Sequence, residues 1–226
     1  MISGCIFDLD GTLVNSTYAL QRSTNLTLEE FDLSPISIEE IKKIVGDGYK
    51  KQMERALLLH GEGAMRFYEL SLPLYMEHFS KNCLYHLDAY DGIRDMLREL
   101  KKRGIQTAVF SNKPHAQTME NVSYVFGGEM FDQVLGQTEG IPVKPNPAGV
   151  FQILDHLNLK PEECLYFGDT NTDMQTGKAA GIKTVGVLWG FRKKEELERF
   201  APEYLISHPS QVVGIIEELE QCENKK

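Results

Sequence analysis

Cys5-Ile6-Phe7-Asp8-Leu9-Asp10-Gly11-Thr12 decides how this 226-residue chain is read. Three residues of strand-forming, apolar character run directly into two carboxylates separated by one leucine. An apolar strand that stops at acids can present both of them to the crevice at the carboxyl edge of a sheet, where open α/β sheets bind ligands. Gly11, just beyond, permits a sharp turn or a close backbone approach. A solvated loop could carry the same pair, so the decision rests on what the chain repeats elsewhere.

Outward from this stretch, the part beyond Tyr90 alternates apolar runs with helix-periodic segments. Residues 105–110, 164–167, 184–188 and 204–206 have strand character. Ile93, Met96, Leu97 and Leu100 follow the i, i+3, i+4, i+7 spacing of a helix, which Asp91 can cap at its start and Gly104 at its end. Val150, Ile153, Leu154 and Leu157 repeat that spacing, as do Val212, Ile215, Ile216 and Leu219. Near-continuous apolar strands between helices predict a doubly wound α/β core with a parallel sheet covered on both faces. From Asn15 to Leu84 no convincing strand is legible. The apolar residues there fit helices through Ile38, Ile41 and Val45, through Met53 and Leu57, and through Phe67, Leu70 and Leu74. The expectation is an α/β core of residues 1–14 and 85–226, with an α-helical domain of residues 15–84 inserted after the first strand.

Composition narrows the function classes. The formal net charge of −9 works against a nucleic-acid polymer as partner. The four cysteines (Cys5, Cys83, Cys164, Cys222) form no CxxC pair, and Cys5 and Cys164 read as small buried hydrophobes. The apolar start before Asp8 is too short for a secretory signal or a membrane span. Together these predict a cytoplasmic protein with no membrane partner; its state, monomer or homodimer, is left open by the sequence.

Three further stretches place reactive residues at successive strand ends. Phe110-Ser111-Asn112-Lys113-Pro114 offers a hydroxyl and an amide that can donate to phosphate oxygens, although Ser or Asn before a helix is also ordinary capping. In Val143-Lys144-Pro145-Asn146-Pro147, Pro145 biases Lys144 toward extended backbone, and Asn146 can cap a helix opening at Pro147. Lys144 is thereby held where it can meet an anion. Gly168-Asp169-Thr170-Asn171-Thr172-Asp173 again ends an apolar strand in acids, and one helical turn would point Asp169 and Asp173 the same way. Hard oxygen ligands of this kind favour Mg²⁺.

In this order the four stretches resemble the motifs of the haloacid dehalogenase-like superfamily, and specifically its phosphatases of the phosphoglycolate phosphatase type. The resemblance implies that Asp8 attacks phosphorus, giving a phospho-aspartate that water hydrolyses. Asp10 would protonate the leaving alkoxide and then deprotonate the water. It implies Mg²⁺ on Asp8, the Asp10 carbonyl and Asp169, with Asp173 beside them or orienting Lys144. Ser111, Asn112 and Lys144 would hold the phosphoryl oxygens. Val45-Gly46-Asp47-Gly48 resembles the substrate loop of the cap, so Gly46, Lys50 and Arg55 are candidate substrate-selecting residues. Asn15 departs from the pattern, since these phosphatases often carry Asp there.

The substrate class so implied is a small phosphate monoester, such as a phosphoglycolate-like compound, a sugar phosphate or a nucleotide. A sugar-phosphate mutase of the β-phosphoglucomutase kind is the nearest alternative, and a catalytically silent phospho-ligand-binding protein a further one. Asp10 argues against a dehalogenase, which lacks that second acid. Chain order argues against a receiver domain, whose phosphorylated Asp follows on a later strand.

Overall fold

The computed structural model describes residues 1–223, with side chains through Gln221. Along the chain, β1 (Gly4–Phe7) and β2 (Val14–Asn15) precede four helices: α1 (Thr17–Glu29), α2 (Ile38–Ile44), α3 (Tyr49–Leu58) and α4 (Tyr68–Asn82). Then come β3 (Asp88–Ala89), α5 (Ile93–Lys102), β4 (Gln106–Pro114), α6 (His115–Phe126), β5 (Gln133–Gln137) and α7 (Ala148–Leu157). The chain finishes with β6 (Cys164–Gly168), α8 (Asn171–Ala179), β7 (Lys183–Val187), α9 (Lys194–Glu198), β8 (Tyr204–Ile206) and α10 (Gln211–Glu223).

Six strands form one parallel sheet in the order β5-β4-β1-β6-β7-β8, with β1 paired to β4 on one side and β6 on the other. Side chains alternate across it, as a pleat requires. Cys5, Phe7, Val109, Leu165 and Phe167 enter a cluster with residues of α5, α6 and α10. Ile6, Ala108, Phe110, Cys164 and Tyr166 enter another with the Val150, Ile153, Leu154 and Leu157 stripe of α7. The continuous apolar runs of the sequence are thus shared between two cores. Phe7 and Phe167 stack at 4.6 Å between ring centroids and tie the two central strands together. The chain is the doubly wound α/β fold that the alternation predicts.

A third cluster, centred on Leu28, Ile41, Met53, Tyr75 and Phe79, belongs to the helices between β2 and β3. That helical layer is a cap whose two connections meet in the antiparallel pair β2–β3, Val14 opposite Ala89. No strand is legible there in the sequence, because a two-residue ribbon leaves no period to read. α1 also lacks an apolar stripe; its buried face mixes Leu20 and Leu28 with Ser23, Thr24 and Thr27, whose hydroxyls bond back to the preceding turn.

Several local readings are corrected. The N-cap position of α5 is Gly92, in a left-handed conformation with no side-chain cap, so Asp91 is not the cap. Val45 lies past α2 in extended backbone. The inward face of α4 is Ser71, Tyr75 and Phe79, and Leu70 is 61% exposed. The spacing of Phe67, Leu70 and Leu74 has the right period but the wrong phase. β4 continues through Ser111, Asn112 and Lys113, so neither Ser111 nor Asn112 caps α6. α7 opens at Ala148, whose N–H donates to Asn146 Oδ1 at 2.9 Å. β5, an edge strand interrupted by Gly136, has too weak an apolar signal to be read. Among the described residues, no helix is long and apolar enough to cross a membrane.

Candidate active site

The carboxyl ends of β1, β4 and β6 converge because these strands are neighbours in parallel register. β1 delivers Asp8 at its end and Asp10 in the turn that follows. The turn closes on Gly11, whose N–H donates to the Val14 carbonyl and whose φ of +88° suits glycine. β6 delivers Asp169, and one turn into α8 comes Asp173. One oxygen from each of Asp8, Asp169 and Asp173 can lie within 4.8 Å of the others, and all three residues are buried.

Lys144 crosses this group. Its Nζ donates to Asp8 Oδ1 at 2.6 Å, to Asp173 Oδ1 at 2.7 Å and to the Phe110 carbonyl at 3.2 Å, using all three of its protons. The backbone of Lys144 is held as well, since its N–H donates to Asn112 Oδ1 at 2.8 Å and the Asn112 amide returns a bond to its carbonyl. The Lys144-Pro145 peptide is cis. Asp173 is fixed by a helix cap: Thr170 donates to its Oδ2 from both N–H (3.1 Å) and hydroxyl (2.6 Å). The same capping box that starts α8 therefore aims the other oxygen of Asp173 at Lys144.

Burial and charge set the acidities. Burial pushes Asp8 well above the ordinary carboxylate range; Lys144 offsets part of that, while Asp173 and Asp169 add to it. Burial, reinforced by Asp173, pushes Asp169 up to about 7, despite the bonds from the Phe191 N–H and the Thr12 hydroxyl. Burial disfavours the Lys144 ammonium, yet Asp173 and Asp8 outweigh it and hold Lys144 well above its usual range. Three buried carboxylates facing one ammonium leave negative charge uncompensated. Asp173 is bonded to the Lys144 ammonium and to Thr170, whereas Asp169 accepts only from a neutral hydroxyl and a backbone N–H and Asp8 meets Lys144 through one oxygen, so Asp8 and Asp169 keep lone pairs for a hard divalent cation.

The cap covers the crevice in part, leaving a half-open cavity of about 40 Å³. Asp8, Asp10, Ser111, Asn112 and Lys113 line it from the core; Tyr49, Gln52, Tyr75 and Phe79 line it from the cap. The loop after α2 is tied down at several points. Asn112 donates to the Gly46 carbonyl at 3.2 Å, Thr172 donates to Asp47, and Arg192 donates to the carbonyls of Lys42 and Val45. Burial works against the Asp47 anion, but the bonds from Thr172 and Arg55 hold its carboxyl below its usual range.

Of the residues singled out from sequence, Asp8, Asp10, Ser111, Asn112, Lys144, Asp169, Asp173 and Gly46 are brought together at this crevice. Lys50 and Arg55 are not. Lys50 is exposed, and Arg55 is spent on Asp47 and the Ile44 carbonyl, so neither lines the cavity. The Asn112 side chain holds backbone rather than offering its amide to the cavity. Lys113, to which the sequence reading assigned no role, lies 2.7 Å from Asp10. Strand alternation was the signal available, because Lys113 stands two residues from Ser111 and shares its face.

Fold and crevice together define a class: an α/β enzyme with a layer of helices over a carboxylate-rich strand edge. Residues 5–187 match the haloacid dehalogenase-like hydrolase family, and the chain belongs to that family. It is 30% identical over 212 residues to a phosphoglycolate phosphatase of Aquifex aeolicus, covering 94% of this chain and 95% of that one. It is 26% identical over 223 residues to pyrophosphatase PpaX of Listeria monocytogenes, covering 97% and 98%. A solved structure of a candidate phosphoglycolate phosphatase from Lactobacillus delbrueckii subsp. bulgaricus superposes with a TM-score of 0.87 at 26% identity, over 93% of this chain and 96% of that one.

Proposed function

We propose that this hydrolase cleaves a small phosphate monoester through a phospho-aspartate on Asp8, with Mg²⁺ as its resident cation. The observation that carries the reading is Asp8 itself, a buried carboxylate at the end of the central strand, 2.6 Å from Lys144 and facing a capped cavity. A carboxylate so held attacks phosphorus through an oxygen lone pair, and the phosphorus–ester oxygen bond breaks as the new bond forms. Asp10, two residues on and lining the same cavity, gives its proton to the departing alkoxide and later takes one from the attacking water. Lys144 and the Ser111 hydroxyl serve the transferring oxygens, where fixed donors stabilise the charge that spreads over them. Asp8, the Asp10 carbonyl and Asp169 would hold the cation, which when bound neutralises phosphate charge beside Asp8. The cap over the crevice limits the water that reaches the attack. Similarity to a phosphoglycolate phosphatase and to a pyrophosphatase supports phosphorus as the electrophile and leaves the leaving group open.

The test is phosphate release from a panel containing phosphoglycolate, sugar phosphates, nucleoside monophosphates, pyrophosphate and 4-nitrophenyl phosphate, with Mg²⁺ or with EDTA. The expected result is release that needs Mg²⁺ and falls to background in Asp8→Asn. Release unchanged by EDTA, or retained by Asp8→Asn, refutes the mechanism. Isomerisation of a sugar phosphate without release would show a mutase instead.

A further inference from the structure

A polar chain runs from the cavity to the end of α4, where the cap rejoins the core. Lys113 Nζ donates to Asp10 Oδ1 at 2.7 Å and to Asn121 Oδ1 on α6. The Asn121 amide donates to the Cys83 carbonyl at 3.1 Å, where α4 ends and the chain turns back toward the core. The Lys113 ammonium also lies 5.4 Å from the centre of the Phe79 ring of α4, within cation–π range. The Lys113 side chain is 2% exposed and Asn121 is fully buried, while the Asp10 side chain is 16% exposed, so solvent reaches this chain only at its Asp10 end.

From this chain we infer that Lys113 is the positioning residue for Asp10, and that Asn121 fixes the lysine to the returning end of the cap. The inference rests on the phosphatase reading, because it supposes that Asp10 handles the proton of the leaving group. Asp10 sits in a turn at the rim of the cavity, on a side chain with two rotatable bonds. Lys113 supplies an ammonium on the neighbouring strand that takes one carboxylate oxygen and leaves the other for the ester oxygen. A misplacement of about 1 Å in such a group costs on the order of a hundredfold in rate. Asn121 accepts from Lys113 and donates to Cys83, so the lysine is oriented by the end of α4 as well as by its own strand. Lys113 touches no reacting atom in this scheme; it acts through Asp10.

The experiment compares two esters in single turnover with excess enzyme and Mg²⁺: 4-nitrophenyl phosphate, whose leaving group departs without a proton, and the fastest alkyl phosphate of the panel. Lys113→Met is expected to slow alkyl cleavage at least about tenfold more than aryl cleavage, within the range of general-acid effects. KM should change by less than about threefold. Lys113→Arg should recover most of the alkyl rate, and Asn121→Ser should shift it in the same direction by less. Equal slowing of both esters, a loss confined to KM, or Lys113→Arg as impaired as Lys113→Met overturns the assignment. If Lys113→Met shows no cooperative melt, Asn121→Ser decides: selective loss on the alkyl ester supports the inference and an unchanged alkyl-to-aryl ratio refutes it. A wild type with no Mg²⁺-dependent cleavage of either ester refutes the phosphatase reading itself, an outcome distinct from all of these.

Discussion

Asp169 lies fully buried beside Asp8 and Asp173, and the single ammonium among them is already bonded to the other two. Burial, then the charge of Asp173, puts its carboxyl at about 7 against an ordinary 3.8. With the folded value above the unfolded one, the native state binds the proton more tightly. The stability contributed by this group is present in full below 3.8 and is lost as pH rises through about 7. Metal-free protein should therefore melt progressively lower across that window, and Asp169→Asn should flatten the slope. Added Mg²⁺ should raise the melting temperature of wild type above neutral pH and leave Asp169→Asn nearly unmoved. Equal slopes, measured by calorimetry in EDTA, would sink this account. Lys113 marks the limit of reading at this scale, since its identity was plain but its partner is 103 positions away.

Elements carry the geometry that residues alone do not. β6 stacks Phe167 on Phe7 of β1, holding the two strands whose ends bear Asp8 and Asp169. Phe167→Ala removes a side chain that is 1% exposed and should cost about 3–5 kcal/mol, read as a lower urea midpoint at unchanged slope. A cost under about 1 kcal/mol would mean the strand pair does not depend on that stack. α8 does double work through its capping box, since the bond that starts the helix also orients Asp173 toward Lys144. The elements with clean periods (α5, α7, α10 and the central strands) were legible from the sequence. α1 was not, because hydroxyls replace part of its apolar stripe. The phase of α4 was missed because its apolar residues go most of the way round the helix, and only the neighbouring α1 and α3 decide which face is covered.

At the scale of the whole molecule, the question is what keeps the cap over the crevice. Arg192, on the loop after β7, donates to the carbonyls of Lys42 and Val45 in the cap, the latter at 2.7 Å, and Thr172 reaches Asp47. Arg192→Ala deletes both arginine bonds and should free the end of α2 and the 45–48 loop. The expected outcome is a kcat/KM loss of about tenfold, from roughly 0.5–1.5 kcal/mol for each of two bonds, with faster proteolysis in that loop and a melting temperature lower by about 2–4 °C per kcal/mol lost. Unchanged kcat/KM and an unchanged cleavage pattern would show that the cap holds without Arg192.

The sequence by itself determined the doubly wound core, the run of helices after the first strand and the four short stretches that carry the acids, the hydroxyl and the lysine. Those follow from period, apolar runs and turn chemistry, all local properties of the chain. It also made Lys50 and Arg55 candidates for the substrate, since cations after a glycine loop are free to be assigned when no partner is in view. Only the tertiary structure decided that Arg55 belongs to Asp47, that Lys50 faces solvent, and that Lys113 belongs to Asp10. The reason is physical. Which charge meets which depends on strand order and on how the cap docks, and both are settled by burying apolar surface between segments far apart in the chain.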